Sequence, residues 1–101
     1  MTKYNKLIRD KIPEIIEKKG GKAITHIADE AEYAAKLREK LQEEVDEFIK
    51  DQNLEEIADV VEVLEALAQQ LGGSWDQVRE IQHKKADERG KFEKKIILEE
   101  S

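Results

Sequence analysis

The sequence of 101 residues has no cysteine, one proline and few aromatic residues (two Phe, two Tyr and one Trp). Without cysteine, the chain can form neither a disulfide bond nor a thiolate metal site. No apolar run approaches the roughly 20 residues that a membrane-spanning helix needs. Residues 1–6 also lack the apolar stretch of a signal peptide. We therefore expect a cytoplasmic protein that does not contact a membrane.

The net charge of −6 is unevenly distributed along the chain. Residues 1–22 carry 7 basic and 3 acidic side chains, residues 23–78 carry 4 and 15, and residues 79–95 carry 7 and 4. A site for a metal ion and a polyphosphate needs both signs, because carboxylates bind the cation while lysine and arginine bind phosphate oxygens. Charge alone favours the simpler interpretation, solvated helix surfaces. Nucleic-acid binding is not expected, since there is no continuous basic face and no aromatic platform.

The periodicity of apolar residues predicts an all-α fold, a single domain over residues 1–101 built as a bundle of about four helices. A hydrophobic fraction of 39% is sufficient for such a bundle. The helices are expected at about residues 13–19, 30–50, 54–71 and 75–88. Asp29, Asn53 and Ser74 are suited to cap the last three helices, and glycine pairs follow the first and third.

Residues 23–27 are typical of a short β-strand or an extended loop, and residues 95–99 are typical of a short strand that could pair with them. The third predicted helix is apolar over most of its circumference, so we expect it to be the central helix. Because a chain of this size buries only a modest core, we also expect self-association. The simplest form is a homodimer whose central helices build a four-helix core.

Four carboxylates in the second and third predicted helices are spaced as two pairs, Glu44 with Glu47 and Glu56 with Asp59. Residues three apart lie on one side of a helix. The short turn at residues 51–53 predicts antiparallel helices whose pairs face each other. Several of the four fall among apolar residues, above all Glu44 within the apolar stripe of its helix, and an unpaired carboxylate is costly there. A divalent cation removes that cost, and oxygen ligands with room for waters and a phosphate favour Mg²⁺.

Each carboxylate also has a structural explanation that the residues alone leave open. Glu56 can complete a capping box with Asn53. Glu43 and Glu47 can pair on the helix surface with Lys40 and Lys50. Glu44 can form a salt bridge with a basic residue of a second protomer.

The acidic motifs and their flanks resemble those of a known family. Residues 40–47 (KLQEEVDE) followed by residues 55–60 (EEIADV) resemble the MazG-like nucleotide pyrophosphohydrolases, all-α enzymes with the pattern E-E-x-x-E followed by E-x-x-D. Residues 4–13 (YNKLIRDKIP) and 85–92 (KADERGKF) look like a small single-domain subgroup, often labelled phosphoribosyl-ATP pyrophosphohydrolase-like. The spacing between the two acidic motifs is shorter here than in larger members of the family.

The resemblance implies a Mg²⁺-dependent hydrolase, with Mn²⁺ as a substitute, that cleaves nucleoside triphosphates between the α- and β-phosphates to give a monophosphate and pyrophosphate. It also implies a homodimer or higher homo-oligomer in which a second protomer completes the pocket. The metal ligands are then expected to be Glu44, Glu47, Glu56 and Asp59, the catalytic carboxylates Glu43, Glu44 and Glu47, and the phosphate contacts Lys6, Arg9, Lys85 and Arg89.

Two other functions remain open at this point. One is a non-catalytic regulator of the same fold that binds a nucleotide or a protein. The other is a helical oligomerisation module whose acidic residues only carry surface charge.

Overall fold

The structure, a computed structural model, describes residues 3–101 and contains four helices in that range. Residues 1 and 2 of the predicted domain lie outside it. The helices are α1 (Ile12–Lys18), α2 (Glu30–Asp51), α3 (Leu54–Gln70) and α4 (Trp75–Arg89). The all-α class and the four predicted helices are confirmed, and each end lies within one residue of its predicted position. None of these helices combines the length and apolarity that crossing a membrane requires.

The last three helices begin at the polar caps that the sequence predicts. The side chains of Asp29, Asn53 and Ser74 each accept a hydrogen bond from the backbone N–H three residues further on. At Ser74 the arrangement is a complete capping box, because Gln77 Oε1 accepts from the Ser74 N–H at 2.8 Å. Each such cap stabilises its helix by about 1 kcal/mol, which fixes where α2, α3 and α4 start.

α2 and α3 form the hairpin on which the rest of the chain is arranged. Only Gln52 and Asn53 connect them, and Gln52 has a left-handed conformation with φ of 47°. Since the two helices also pack against each other, they are antiparallel neighbours, as predicted. The buried apolar residues are Leu37 of α2 and Val63 and Ala68 of α3.

α3 is the central helix of the described residues, because it packs against both α2 and α4. α4 makes the lighter contact and has no buried residue. α1 begins with Pro13 in its first turn and ends before Gly20, which has φ of 87°. It approaches none of the other described helices closely. The core therefore consists of little more than one helical hairpin.

The two predicted strands are wrong. Residues 23–27 and 95–99 have no regular secondary structure and do not pair. Their β-branched residues give a local preference, but an isolated two-stranded ribbon is at best marginally stable in water. Nothing covers the apolar side chains that would hold it, since Ile27 is 96% exposed and Ile97 is 83% exposed.

The described chain is elongated, with extents of 56 × 31 × 24 Å and a radius of gyration of 17.7 Å. A compact domain of about 100 residues has a radius of gyration of about 13 Å. Large apolar side chains remain exposed on α3, on α4 and along the tail after α4, among them Ile57, Leu71, Ile81 and Ile96. The apolar surface of the chain thus exceeds what its own core covers.

Candidate metal centre

The α2–α3 hairpin brings the four predicted carboxylates together near its connection. Carboxylate oxygens of Glu44, Glu56 and Asp59 lie within 4.8 Å of one another, and those of Glu47, Asp51 and Glu56 do so as well. Because Glu56 belongs to both groups, the five residues form one continuous patch, called here the acid cluster. The antiparallel hairpin explains the order of the carboxylates along the acid cluster, because the residues of α2 nearest the connection lie opposite the residues of α3 nearest the connection.

Asp51 is a member of the acid cluster that the sequence interpretation missed. The sequence assigned it to the turn at residues 51–53, whereas it is the last residue of α2. Its spacing of four residues from Glu47 was the available signal, because residues four apart lie on one side of a helix. Whether Asp51 joins the acid cluster depends on where α2 ends, and helix ends are the least certain part of a sequence-based assignment.

The acid cluster lies at an accessible edge of the hairpin and not inside the core. The Glu44 side chain is 13% exposed, while that of Asp59 is 41% exposed. No polar or charged residue of the described chain is fully buried. The expectation that several of the carboxylates lie among apolar residues therefore holds in part, because Glu44, Glu56 and Asp59 are half-buried whereas Glu47 is exposed. An accessible edge suits a cation such as Mg²⁺, which keeps several of its waters when it binds.

Glu56 is the carboxyl whose proton affinity is changed by this arrangement. Partial burial raises its pKa above the ordinary value, and repulsion from Asp59, Asp51, Glu47 and Glu44 raises it further. Both effects disfavour the charged form of the side chain. A cation placed among these carboxylates would act in the opposite direction, so the raised pKa marks a position where positive charge is favourable.

The capping alternative for Glu56 involves its backbone but not its carboxylate. The Glu56 N–H donates to Asn53 Oδ1 at 2.9 Å, so Asn53 caps α3. Within residues 3–101 the Glu56 side chain makes no return bond to the Asn53 N–H. The cap therefore fixes the backbone of Glu56 and leaves its carboxylate in the acid cluster.

Residues 3–9, called here the N-terminal segment, bring two of the predicted phosphate-binding side chains to the same region. Arg9 Nη2 donates to Asp59 Oδ1 at 2.8 Å. Lys6 Nζ lies 3.4 Å from Glu43 Oε1. Basic groups and carboxylates therefore meet at one end of the hairpin, although they are far apart in the sequence.

Lys40 is a third basic residue at this edge. Its Nζ lies 3.3 Å from Glu44 Oε1 and 3.5 Å from Glu43 Oε1. The sequence interpretation placed it only in a surface pair, yet its side chain is just 18% exposed. Glu43 is held by Lys6 and Lys40 and does not belong to the acid cluster. Of the three predicted catalytic carboxylates, Glu44 and Glu47 therefore belong to the acid cluster, and Glu43 lies next to it.

Lys85 and Arg89 are not joined to the acid cluster. Both are exposed in the last turns of α4. In the described part of the chain, neither makes an ion pair or a side-chain hydrogen bond. Of the four predicted phosphate contacts, the structure therefore brings Lys6 and Arg9 to this edge and leaves Lys85 and Arg89 apart.

Fold and site together define an all-α protein with a candidate metal centre made only of carboxylate oxygens. Hard divalent cations such as Mg²⁺ prefer this donor set. No family model, no curated protein and no solved structure matches the chain.

Proposed function

We propose that this protein is a Mg²⁺-dependent nucleoside triphosphate pyrophosphohydrolase, which cleaves between the α- and β-phosphates to give a nucleoside monophosphate and pyrophosphate. One observation carries the proposal: carboxylates from two helices converge within 4.8 Å, and basic side chains lie beside them. The resemblance of the acidic motifs to MazG-like enzymes supports the same reaction. Mn²⁺ is expected to replace Mg²⁺.

The acid cluster fits the metal that this reaction needs. Glu44, Glu47, Glu56 and Asp59 offer oxygen donors at an accessible edge, and Asp51 adds a fifth carboxylate. A bound Mg²⁺ supplies Lewis acidity, which lowers the pKa of nearby water and offsets negative charge on phosphate oxygens.

Among the three predicted catalytic carboxylates, Glu47 is best suited to accept a proton from the attacking water. Glu43 and Glu44 are each paired with Lys40, whereas Glu47 has no cationic partner in residues 3–101. An exposed, unpaired carboxylate can serve as a general base once substrate and water are positioned. Hydrolysis breaks the anhydride bond between the α- and β-phosphates, water supplies the new oxygen, pyrophosphate leaves, and the proton of the water passes to the carboxylate.

Arg9 and Lys6 are proposed to donate hydrogen bonds to the phosphate oxygens. Their present partners, Asp59 and Glu43, are accessible, and exposed ion pairs exchange at little cost. Lys85 and Arg89 contribute only if a second protomer brings them to the acid cluster. The exposed apolar surface of α3 and α4 supports such a homodimer or higher homo-oligomer.

A panel of ribo- and deoxyribonucleoside triphosphates with Mg²⁺ tests the proposal by release of pyrophosphate. Wild type is expected to hydrolyse at least one substrate, and Glu56→Gln to lose nearly all of that activity. Glu62→Gln is the matched control, because Glu62 is exposed on the same helix and outside the acid cluster. Absence of turnover with both Mg²⁺ and Mn²⁺, or a fully active Glu56→Gln, would reject the enzyme.

The ion pairs at the site favour one second candidate, a non-catalytic regulator of the same fold that binds a nucleotide or a protein partner. Lys40 and Arg9 already neutralise part of the charge of Glu44 and Asp59, as a purely structural network would. Tight nucleotide binding without turnover across the whole panel would select this candidate.

A further inference from the structure

We infer that Arg9 makes the acid cluster discriminate between a free divalent ion and the same ion carried by a triphosphate. The inference rests on the proposed function and adds a residue that sets its specificity. Its starting point is the contact between Arg9 Nη2 and Asp59 Oδ1 at 2.8 Å. Asp59 is one of the three carboxylates that converge within 4.8 Å, so the guanidinium borders the acid cluster.

Two other contacts hold the N-terminal segment in place along α2. Lys6 Nζ lies 3.4 Å from Glu43 Oε1. The backbone oxygen of Asn5 accepts a hydrogen bond from Lys36 Nζ at 2.7 Å. The segment is thus held by three contacts, one through the Asn5 carbonyl and two through the side chains of Lys6 and Arg9. These contacts place Arg9 beside the acid cluster.

Arg9 and a free divalent ion oppose each other at this site. Both are positive, both are attracted to Asp59, and like charges at such short range repel. A guanidinium stays charged at every accessible pH, so protonation cannot relieve the repulsion. Arg9 therefore lowers the affinity of the acid cluster for a metal ion that arrives alone.

A triphosphate reverses the sign of this coupling. Its oxygens lie between the metal and the guanidinium, and the planar fork of arginine donates two hydrogen bonds to a phosphate. The pair with Asp59 is no obstacle, since the Arg9 side chain is 56% exposed and an exposed ion pair is weak. Arg9 therefore raises the affinity for the metal–triphosphate complex while lowering that for the free metal.

Calorimetric titration of the full chain with two separate probes, Mn²⁺ alone and inorganic tripolyphosphate in excess Mg²⁺, tests the inference. Tripolyphosphate makes the result independent of base preference. Arg9→Gln is expected to bind Mn²⁺ about fivefold tighter and Mg²⁺–tripolyphosphate about fivefold more weakly, a typical size for coupling between sites. Arg9→Lys keeps the charge but not the planar fork, so it should retain the weakened Mn²⁺ binding and lose part of the affinity for Mg²⁺–tripolyphosphate. Arg79→Gln is the matched control, because Arg79 is exposed on α4 and should leave both affinities unchanged.

The inference is supported if Arg9→Gln changes the affinities for Mn²⁺ and for Mg²⁺–tripolyphosphate in opposite directions. It is overturned if both affinities change in the same direction or neither changes. If neither wild type nor Arg9→Gln binds Mn²⁺, both the inference and the proposed metal centre are overturned. Wild type that binds both probes yet hydrolyses no triphosphate overturns the proposed enzyme alone, and opposite shifts would still establish the discrimination.

Discussion

Glu56 connects the two halves of the acid cluster, and the charged form of its side chain is disfavoured there. Partial burial and the four neighbouring carboxylates raise its pKa above the ordinary value of 4.5. The folded chain therefore binds a proton at Glu56 more tightly than the unfolded chain does. The resulting stability is present at low pH and is lost as the pH rises through the raised pKa.

Replacing Glu56 with glutamine should consequently stabilise the protein when divalent ions are absent. Glu56→Gln removes the repelled charge, so its melting temperature in a chelator at pH 7 is expected to exceed that of wild type. The difference should shrink at pH 4, where the wild-type carboxyl is largely protonated. Melting curves followed by circular dichroism at both pH values measure it.

Glu62→Gln controls for the loss of any negative charge from α3 and should leave the melting temperature nearly unchanged at both pH values. Addition of Mg²⁺ completes the comparison, because it should stabilise wild type and not Glu56→Gln. A variant that melts below wild type at pH 7 would contradict the electrostatic account of the site.

At the scale of single elements, the helix starts were predictable because their signals are local. Asp29, Asn53 and Ser74 each cap a helix through a backbone N–H only three residues away. The strands at residues 23–27 and 95–99 were not predictable in this way, since a strand requires a partner that the local sequence does not specify.

The acid cluster shows the same division between local and distant signals. The spacing within α2 and within α3 predicted that the four carboxylates face each other. A connection of only two residues also leaves the two helices few arrangements other than antiparallel neighbours. Asp51 was missed because one residue at a helix end decides its orientation. The pairing of Arg9 with Asp59 joins residues 50 positions apart. No periodicity within either segment encodes that contact.

The cap of α3 should matter for the site as well as for stability. Asn53→Ala removes the acceptor of the Glu56 N–H and is expected to lower the free energy of unfolding by about 1 kcal/mol. It should also weaken stabilisation by Mg²⁺, because the first turn of α3 carries Glu56 and frays without its cap. Urea unfolding with and without Mg²⁺ measures both effects.

Ser74→Ala is a matched control for that experiment, since it removes the equivalent cap from α4. Ser74→Ala is expected to lower the free energy of unfolding by a similar amount, about 1 kcal/mol, and to leave stabilisation by Mg²⁺ unchanged. If the two variants respond to Mg²⁺ in the same way, the cap of α3 has no particular connection to the acid cluster.

At the scale of the whole molecule, the described chain has too little core for its length. Leu37, Val63 and Ala68 are its only buried apolar residues, and a radius of gyration of 17.7 Å is large for 101 residues. Exposed apolar surface of this extent is typical of surfaces that pack against another molecule. A second copy of the chain fits this requirement, because α3 could then bury its remaining apolar side against the α3 of its partner.

Sedimentation across a dilution series is therefore expected to give a mass at least twice the 11.7 kDa of one chain. Leu71→Glu places a charge at the end of α3, where the side chain is 81% exposed in the single chain. It should shift the protein toward the monomer and lower its melting temperature, since association stabilises the folded state. Gln69→Glu adds the same charge at an exposed polar position of α3 and should have a smaller effect. A wild-type mass of one chain at every concentration would mean that the exposed apolar surface serves a different partner.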